Sequence, residues 1–322
     1  MPDRALPALV AHADWSVHPG KRWMSIGRLR GHHYELGLPQ EVGEVGTLFE
    51  RLARLAGGGQ VVVGFDFPIG LPLAYASAAG IERFLEVLPA LGAPPWRQFY
   101  DIAPRPSDIG IERPFYPLRP GGAAHVHLTS ALGVPDIDAL RRACDRGGGH
   151  RRDACPIFWT LGGQQVGRAA IAGWRDLLAP AVRQNADVAL WPFHGPLPDL
   201  LRRSPCIVAE TYPAEACLHL GLTAPGRGWS KRDPEARQRQ GTRLFSWASE
   251  RGVHLGDDLQ SAIRAGFGPR PAGEDPFDSV LGAMAIVEVL LGGRTDGAPN
   301  DSVISHIEGW IFGQHGNVTA PS

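Results

Sequence analysis

The stretch that most constrains this chain is Gln60–Pro72, which reads QVVVGFDFPIGLP. Three consecutive valines, Val61 to Val63, make a short β-branched apolar run of the kind buried on both faces of a sheet. Pro68, Gly70 and Pro72 then stop any regular element. Asp66 therefore stands at the carboxyl end of a central strand, where open α/β sheets place ligand sites. An ionised carboxylate beside a buried strand is costly unless it is hydrogen-bonded, hydrated or bound to a cation. Taken alone, Asp66 is open to two readings: an Asx turn closed on the loop amides, or one member of a converging carboxylate cluster.

The flanking pattern supplies the other members. Leu9–Ala13 is apolar, runs into Asp14-Trp15 and reads as a first strand. Lys21–Gly27 and Gly31–Leu36 read as a second and third, joined by short turns. Glu41–Ala56 sets Val42, Val45, Leu48, Phe49, Leu52 and Leu55 on one helical face. The order β-β-β-α-β predicts a meander and a crossover helix feeding a mixed sheet. Downstream, the spacing predicts a helix over Gln164–Gln184, a strand over Asp187–Phe193 and a buried strand Cys206–Thr211 that carries Glu210 near its end. Helices follow over Ala214–Leu220, Arg237–Arg251, Asp258–Ala265 and Pro276–Leu291. In the last, Asp275 is placed as N-cap with Pro276 at the first helical position, and Asp278 follows in the first turn. Gly282 and Ala285 share the face of Asp278 and allow close approach to the sheet.

Composition narrows the classes. The chain has 322 residues, 43% of them hydrophobic, and a net charge of −1, which argues against a protein that coats nucleic acid non-specifically but leaves local basic surfaces open. There is no 18-residue apolar run, so no membrane partner is expected. The cysteines, Cys144, Cys155, Cys206 and Cys217, form no C-x-x-C pair, and a cytoplasmic location is the expectation. Cys144, His150 and Cys155 match no common zinc spacing. Nine of the 29 prolines fall in Pro89–Pro135, which marks an insertion over about 89–157 within a single domain spanning 1–322.

Three arginine-rich stretches each allow two readings. From Trp96 to Arg119 aromatics interleave with arginines, as on a single-stranded nucleic-acid surface or as rings that pin a loop. Ring anchors are the expectation. Arg141–Asp153, with five arginines, reads as a solvated or substrate-facing loop. Arg227–Arg243 has six basic and two acidic residues, either a phosphate-facing segment or a solvated helix face. Lys231 lies within it and is, with Lys21, one of the only two lysines.

Asp14, Asp66, Glu210 and Asp278 would repel one another within a few ångströms unless divalent cations neutralised them. Oxygen-only ligands suit Mg²⁺ or Mn²⁺, and two such ions about 4 Å apart serve phosphodiester hydrolysis. A set of motifs fits that chemistry: GFDFPIGLP (Gly64–Pro72), FWTLGGQQVG (Phe158–Gly167), WPFHGPL (Trp191–Leu197), AETYPAEA (Ala209–Ala216), WSKR (Trp229–Arg232), EDPFDSVLGA (Glu274–Ala283) and EGWIFG (Glu308–Gly313). Together they resemble the uncharacterised domain of unknown function 429 family and, through it, the ribonuclease H-like fold.

The resemblance implies an α/β fold with a ribonuclease H-like mixed sheet flanked by helices, and a metal-dependent nuclease activity. Asp14, Asp66, Asp275 and Asp278 match the carboxylate positions of such hydrolases, nearest to the Holliday-junction resolvase pattern. Glu210 and Lys231 match family motifs with no assigned role. One departure stands in strand one, AHADWS, which lacks the glycine that often precedes the first aspartate. The expectation is a hydrolase that uses Mg²⁺ or Mn²⁺ on nucleic acid, with the metal on Asp14, Asp66 and Asp278. Asp275 would assist, Glu210 would add a ligand or base, and Lys231 and Arg232 would contact substrate. The rivals are a non-catalytic ribonuclease H-like binding module and, ranked last for want of a duplicated half and a G-x-G-x-x-G, an actin-like or sugar-kinase-like phosphotransferase.

Overall fold

The two apolar runs do what their composition dictates. Leu9–Asp14 (β1) and Val61–Phe65 (β5) are buried along their whole length and pair in parallel, Leu9 opposite Val61 through Ala13 opposite Phe65. This is a computed structural model, and it describes residues 6–162, 166–184, 186–269 and 273–316. The chain packs as two compact units: one from Met1–Asp66, Pro196–Gly297 and Ile311–His315, the other from Phe67–Gly195, Ala298–Trp310 and Gly316–Ser322. The second unit takes in the proline-rich stretch and extends well beyond it on both sides.

In the first unit, a mixed sheet is built around β1. Trp23–Arg30 (β2) pairs antiparallel with β1, and His33–Leu36 (β3) pairs antiparallel with β2. Gln40–Glu41 (β4) pairs with the start of β2. On the far side of β5, Cys206–Glu210 (β6) is parallel to it, and His254–Leu255 (β7) is parallel to β3. The helices are Leu48–Leu55 (α1), Leu197–Arg203 (α2), Pro213–His219 (α3), Pro234–Arg251 (α4), Asp257–Arg264 (α5) and Glu274–Leu290 (α6). The result is a mixed α/β unit whose central sheet is flanked by helices. Among the described residues no helix is long and apolar enough to cross a membrane.

Helix α6 is buried from Pro276 to Leu290. It carries one internal anchor: the Glu288 carboxylate takes two hydrogen bonds from Arg251, both at 2.6 Å, and one from the Trp247 indole at 2.9 Å. A buried charge so completely satisfied holds the helix at a fixed height against α4.

Some expected boundaries move. Helix α1 begins at Leu48 rather than Glu41, because Gly43 sits at φ 70° and Gln40–Glu41 is drawn into the sheet. Helix α6 begins at Glu274, preceded by Gly273 with no side-chain cap, so Asp275 lies inside the first turn and is not the N-cap. The helix expected over Gln164–Gln184 runs through Val166–Gly173, a π-turn at Trp174–Leu178 and Ala179–Arg183. Residues 164 and 165 of that expectation lie outside the described residues.

In the second unit, the aromatics of the proline-rich stretch are anchors. Phe99, Tyr100, Phe115 and Tyr116 are buried, and Phe99 packs against both Phe115 and Trp174. The arginine loop is not simply solvated. Arg142 is fully buried, bonds Asp145 at 2.8 Å and donates to the Ile69 and Glu308 carbonyls. Arg151, also buried, donates to the Cys144 carbonyl. Carbonyls left exposed by a glycine-broken loop need donors, and a guanidinium supplies several from one side chain.

Candidate metal centre

Two parallel strands end side by side. The register that sets Ala13 opposite Phe65 places the next residues, Asp14 and Asp66, at about the 4.8 Å spacing of neighbouring strands. Alternation puts both on the same face as His12 and Gly64. Helix α6 lies across that face at close range. A Cβ at Gly282 would meet the His12 ring at 2.3 Å, and one at Gly64 would meet Ile286 at 2.7 Å. The His12 Nδ1 donates to the Ser279 carbonyl at 3.2 Å. Burial keeps this imidazole neutral, pushing its pKa down to about 3. The first turn of α6 is thereby seated over the strand ends, and Asp278 joins Asp14 and Asp66.

Electrostatically the three carboxylates act on one another. Burial, then the charges of Asp66, Asp278 and Asp275, raise the Asp14 pKa far above the usual carboxylate range. Burial also lifts Asp66 to about 7, against the Trp15 amide and a hydrogen bond with Asp14 that both favour its anion. The Trp15 N–H donates to Asp66 Oδ1 at 2.6 Å. Asp278 is lifted to about 6 by burial, against the pull of Lys231. At Lys231 burial opposes the charge, but Asp278 and Asp14 outweigh it and hold the ammonium protonated above its ordinary range.

Lys231 Nζ donates to Asp278 Oδ2. The other oxygen, Asp278 Oδ1, is buried and has no hydrogen-bond partner among the described residues. Buried polar atoms are almost always satisfied, so a lone pair left open beside two further carboxylates fits a hard divalent cation. The donors are all oxygens, which is the set Mg²⁺ and Mn²⁺ take.

The remaining candidates fall elsewhere. Glu210 is opposite Phe65 in the parallel pairing, so it points to the other face of the sheet from Asp14 and Asp66 and is not part of this cluster. Asp275 is half-buried in the first turn of α6; burial and then Glu274 raise its pKa, while Lys21 and Lys231 lower it. Its charge is felt at the centre without the capping role. Lys231 turns inward onto Asp278, whereas Arg232 has a side chain 57% exposed and lies 3.8 Å from Glu274.

Three further contributors have no motif of their own. Trp15 acts through its backbone amide, which any non-proline residue after Asp14 would supply. Arg237 is buried on α4 and donates to the Lys231 carbonyl, and also to Gly266 and Gly268 at 2.8 and 2.7 Å, so it fixes the loop that delivers the lysine. Cys217 on α3 is a buried thiol raised to about 12 by burial, near enough to Lys231 and Asp278 to feel both charges. A signal for Arg237 exists in the sequence: it adjoins Ala236 on the apolar side of an otherwise charged helix. In comparisons with family models, curated proteins and solved structures, nothing matches this chain.

Proposed function

We infer that this chain is a Mg²⁺- or Mn²⁺-dependent phosphodiester hydrolase of ribonuclease H-like architecture, with nucleic acid as its substrate class. The observation that carries the reading is Asp278 Oδ1, buried and unpartnered among the described residues beside Asp14 and Asp66. Buried carboxylate oxygens kept only for the fold ordinarily find a donor. Further support comes from the strand order, an antiparallel meander through β1, β2 and β3 with β5 and β6 added in parallel, and from the resemblance of the sequence motifs to the domain of unknown function 429 family.

Asp14, Asp66 and Asp278 would hold the ion. When bound, it supplies Lewis-acid polarisation of a phosphoryl oxygen and a lowered pKa for water. The protein's own residues set the conditions. The Trp15 amide fixes one Asp66 oxygen, so the other is aimed along the strand end toward Asp14. Asp14 must release its proton before it can serve as a ligand. Lys231 holds Asp278 by Oδ2 and leaves Oδ1 facing inward. One observation favours the non-catalytic module instead: the same lysine already neutralises Asp278.

The two readings separate in one experiment. A preformed site bound at about a hundred times its Kd gains about 2.7 kcal/mol, so Mg²⁺ should raise the melting temperature by several degrees. Mn²⁺ should support cleavage of labelled single-stranded, duplex or four-way-junction nucleic acid, and Asp278→Asn should remove both effects. Wild-type protein that melts at the same temperature with and without either ion returns the molecule to the binding-module reading.

A further inference from the structure

Building on the metal-hydrolase reading, the geometry points to a specific role for Lys231: its ammonium is a built-in replacement for the second cation, so the centre accepts one divalent ion rather than two. The chain uses arginine almost everywhere. Of 32 basic residues two are lysines, and only Lys231 reaches the centre with its ion pair. The choice has a steric basis. An ammonium is a compact point charge of nearly ionic dimensions, whereas a guanidinium is a planar fork too broad to take an ion's place among converging carboxylates.

The oxygens already engaged point the same way. A pair of ions about 4 Å apart needs shared oxygens between them. Asp278 shares Oδ2 with Lys231 and keeps Oδ1 wholly open, and Asp66 shares Oδ1 with the Trp15 amide, so each has one lone pair fewer for ions. What remains on Asp14, Asp66 and Asp278 is enough for one Mg²⁺, which usually takes one or two carboxylates and keeps several waters.

Charge balance agrees. The charges of Asp66, Asp278, Asp275 and Lys231 all act on Asp14. Three buried carboxylates, one ammonium and one divalent ion sum to zero. A second divalent ion would make a buried centre of plus two near the N-terminus of α6, where the helix dipole already disfavours positive charge. The loop that brings Lys231 in is held by Arg237, so the ammonium is a fixture of the fold.

The test counts ions on the whole protein. Mn²⁺ binding, followed by electron paramagnetic resonance and by calorimetry, should give one ion per chain for the wild type and two for Lys231→Met. Two ions on the wild type, or one on both proteins, overturns the lysine's role while leaving the metal centre standing. No ion on either protein overturns the metal reading and this inference with it.

Should Lys231→Met not fold, the wild type alone decides. Lysine-selective ¹³C labelling yields two side-chain signal sets, for Lys21 and Lys231. The Lys231 set should keep its restricted, ion-paired signature at saturating Mg²⁺. Its shift to the values of a freely solvated lysine would mean that the ion displaces the ammonium, and would overturn the proposal.

Discussion

Asp278 and Lys231 are two ends of one ion pair, yet their removal should not cost the same. Asp278→Asn takes one charge from a crowded group, and the amide oxygen still accepts from Lys231, which keeps Asp14 as a neighbour. Relief of repulsion offsets the weakened pair, and the metal-free protein should change by less than about 1 kcal/mol. Lys231→Met leaves three buried carboxylates with no ammonium among them and should cost about 3 kcal/mol. Urea denaturation of both variants without metal measures the difference. Equal losses would identify an ordinary structural salt bridge. Asp66 and Asp278 were legible in the sequence because an isolated carboxylate next to an apolar run is an expense that asks for a reason. The Trp15 amide and the inward turn of Lys231 were not, since a backbone donor has no residue type and a lysine in a basic run looks solvated.

At the level of elements, the close packing of β1 under α6 depends on an absent side chain. Gly282→Ala would drive a methyl into the His12 imidazole. Overpacking of this kind should cost about 1–3 kcal/mol. His12→Ala in the same chain should recover part of the loss, because the two residues are in contact. Additive losses in thermal unfolding of the single and double variants would place the strain elsewhere. Strand register also explains why Glu210 lies apart from Asp14 and Asp66. QVVVGFD and CIVAETY look like equivalent strands with an acid at the end, but Glu210 aligns with Phe65 and not with Asp66. One residue of offset turns a side chain to the opposite face, and nothing local in either strand reveals the offset. Asp275 misled for a related reason, because a Pro next to an Asp fits the N-cap pattern even where the helix starts two residues earlier.

For the molecule as a whole, the raised carboxyl groups set a direction for pH dependence. Asp66 and Asp278 hold protons more tightly folded than unfolded, with pKa values of about 7 and about 6. Their contribution to stability is intact below about pH 4 and is lost as the pH climbs through those values. His12, depressed to about 3, works the other way and loses stability as the pH falls from about 6.5. A metal competes only with the carboxyl protons, so it isolates them. The rise in melting temperature caused by Mg²⁺ should be small at pH 5 and largest near pH 8. A rise of constant size across that range would mean the ion binds outside this centre.

Glu308 carries a consequence of another kind. One carboxylate oxygen accepts from the Leu73 amide at 3.1 Å, the other from the Ala143 amide at 2.8 Å, and its carbonyl receives Arg142. A single residue thus ties together stretches lying 235 and 165 positions earlier. The other unit is equally scattered, with β1 and β5 waiting for β6 and α6. On a ribosome adding residues one at a time, neither unit can close until most of the chain has emerged. The early strands, among the most apolar stretches of the sequence, spend that interval without their partners. Such long-range closure makes for slow folding, and it leaves the nascent chain dependent on whatever shields exposed strands while translation finishes.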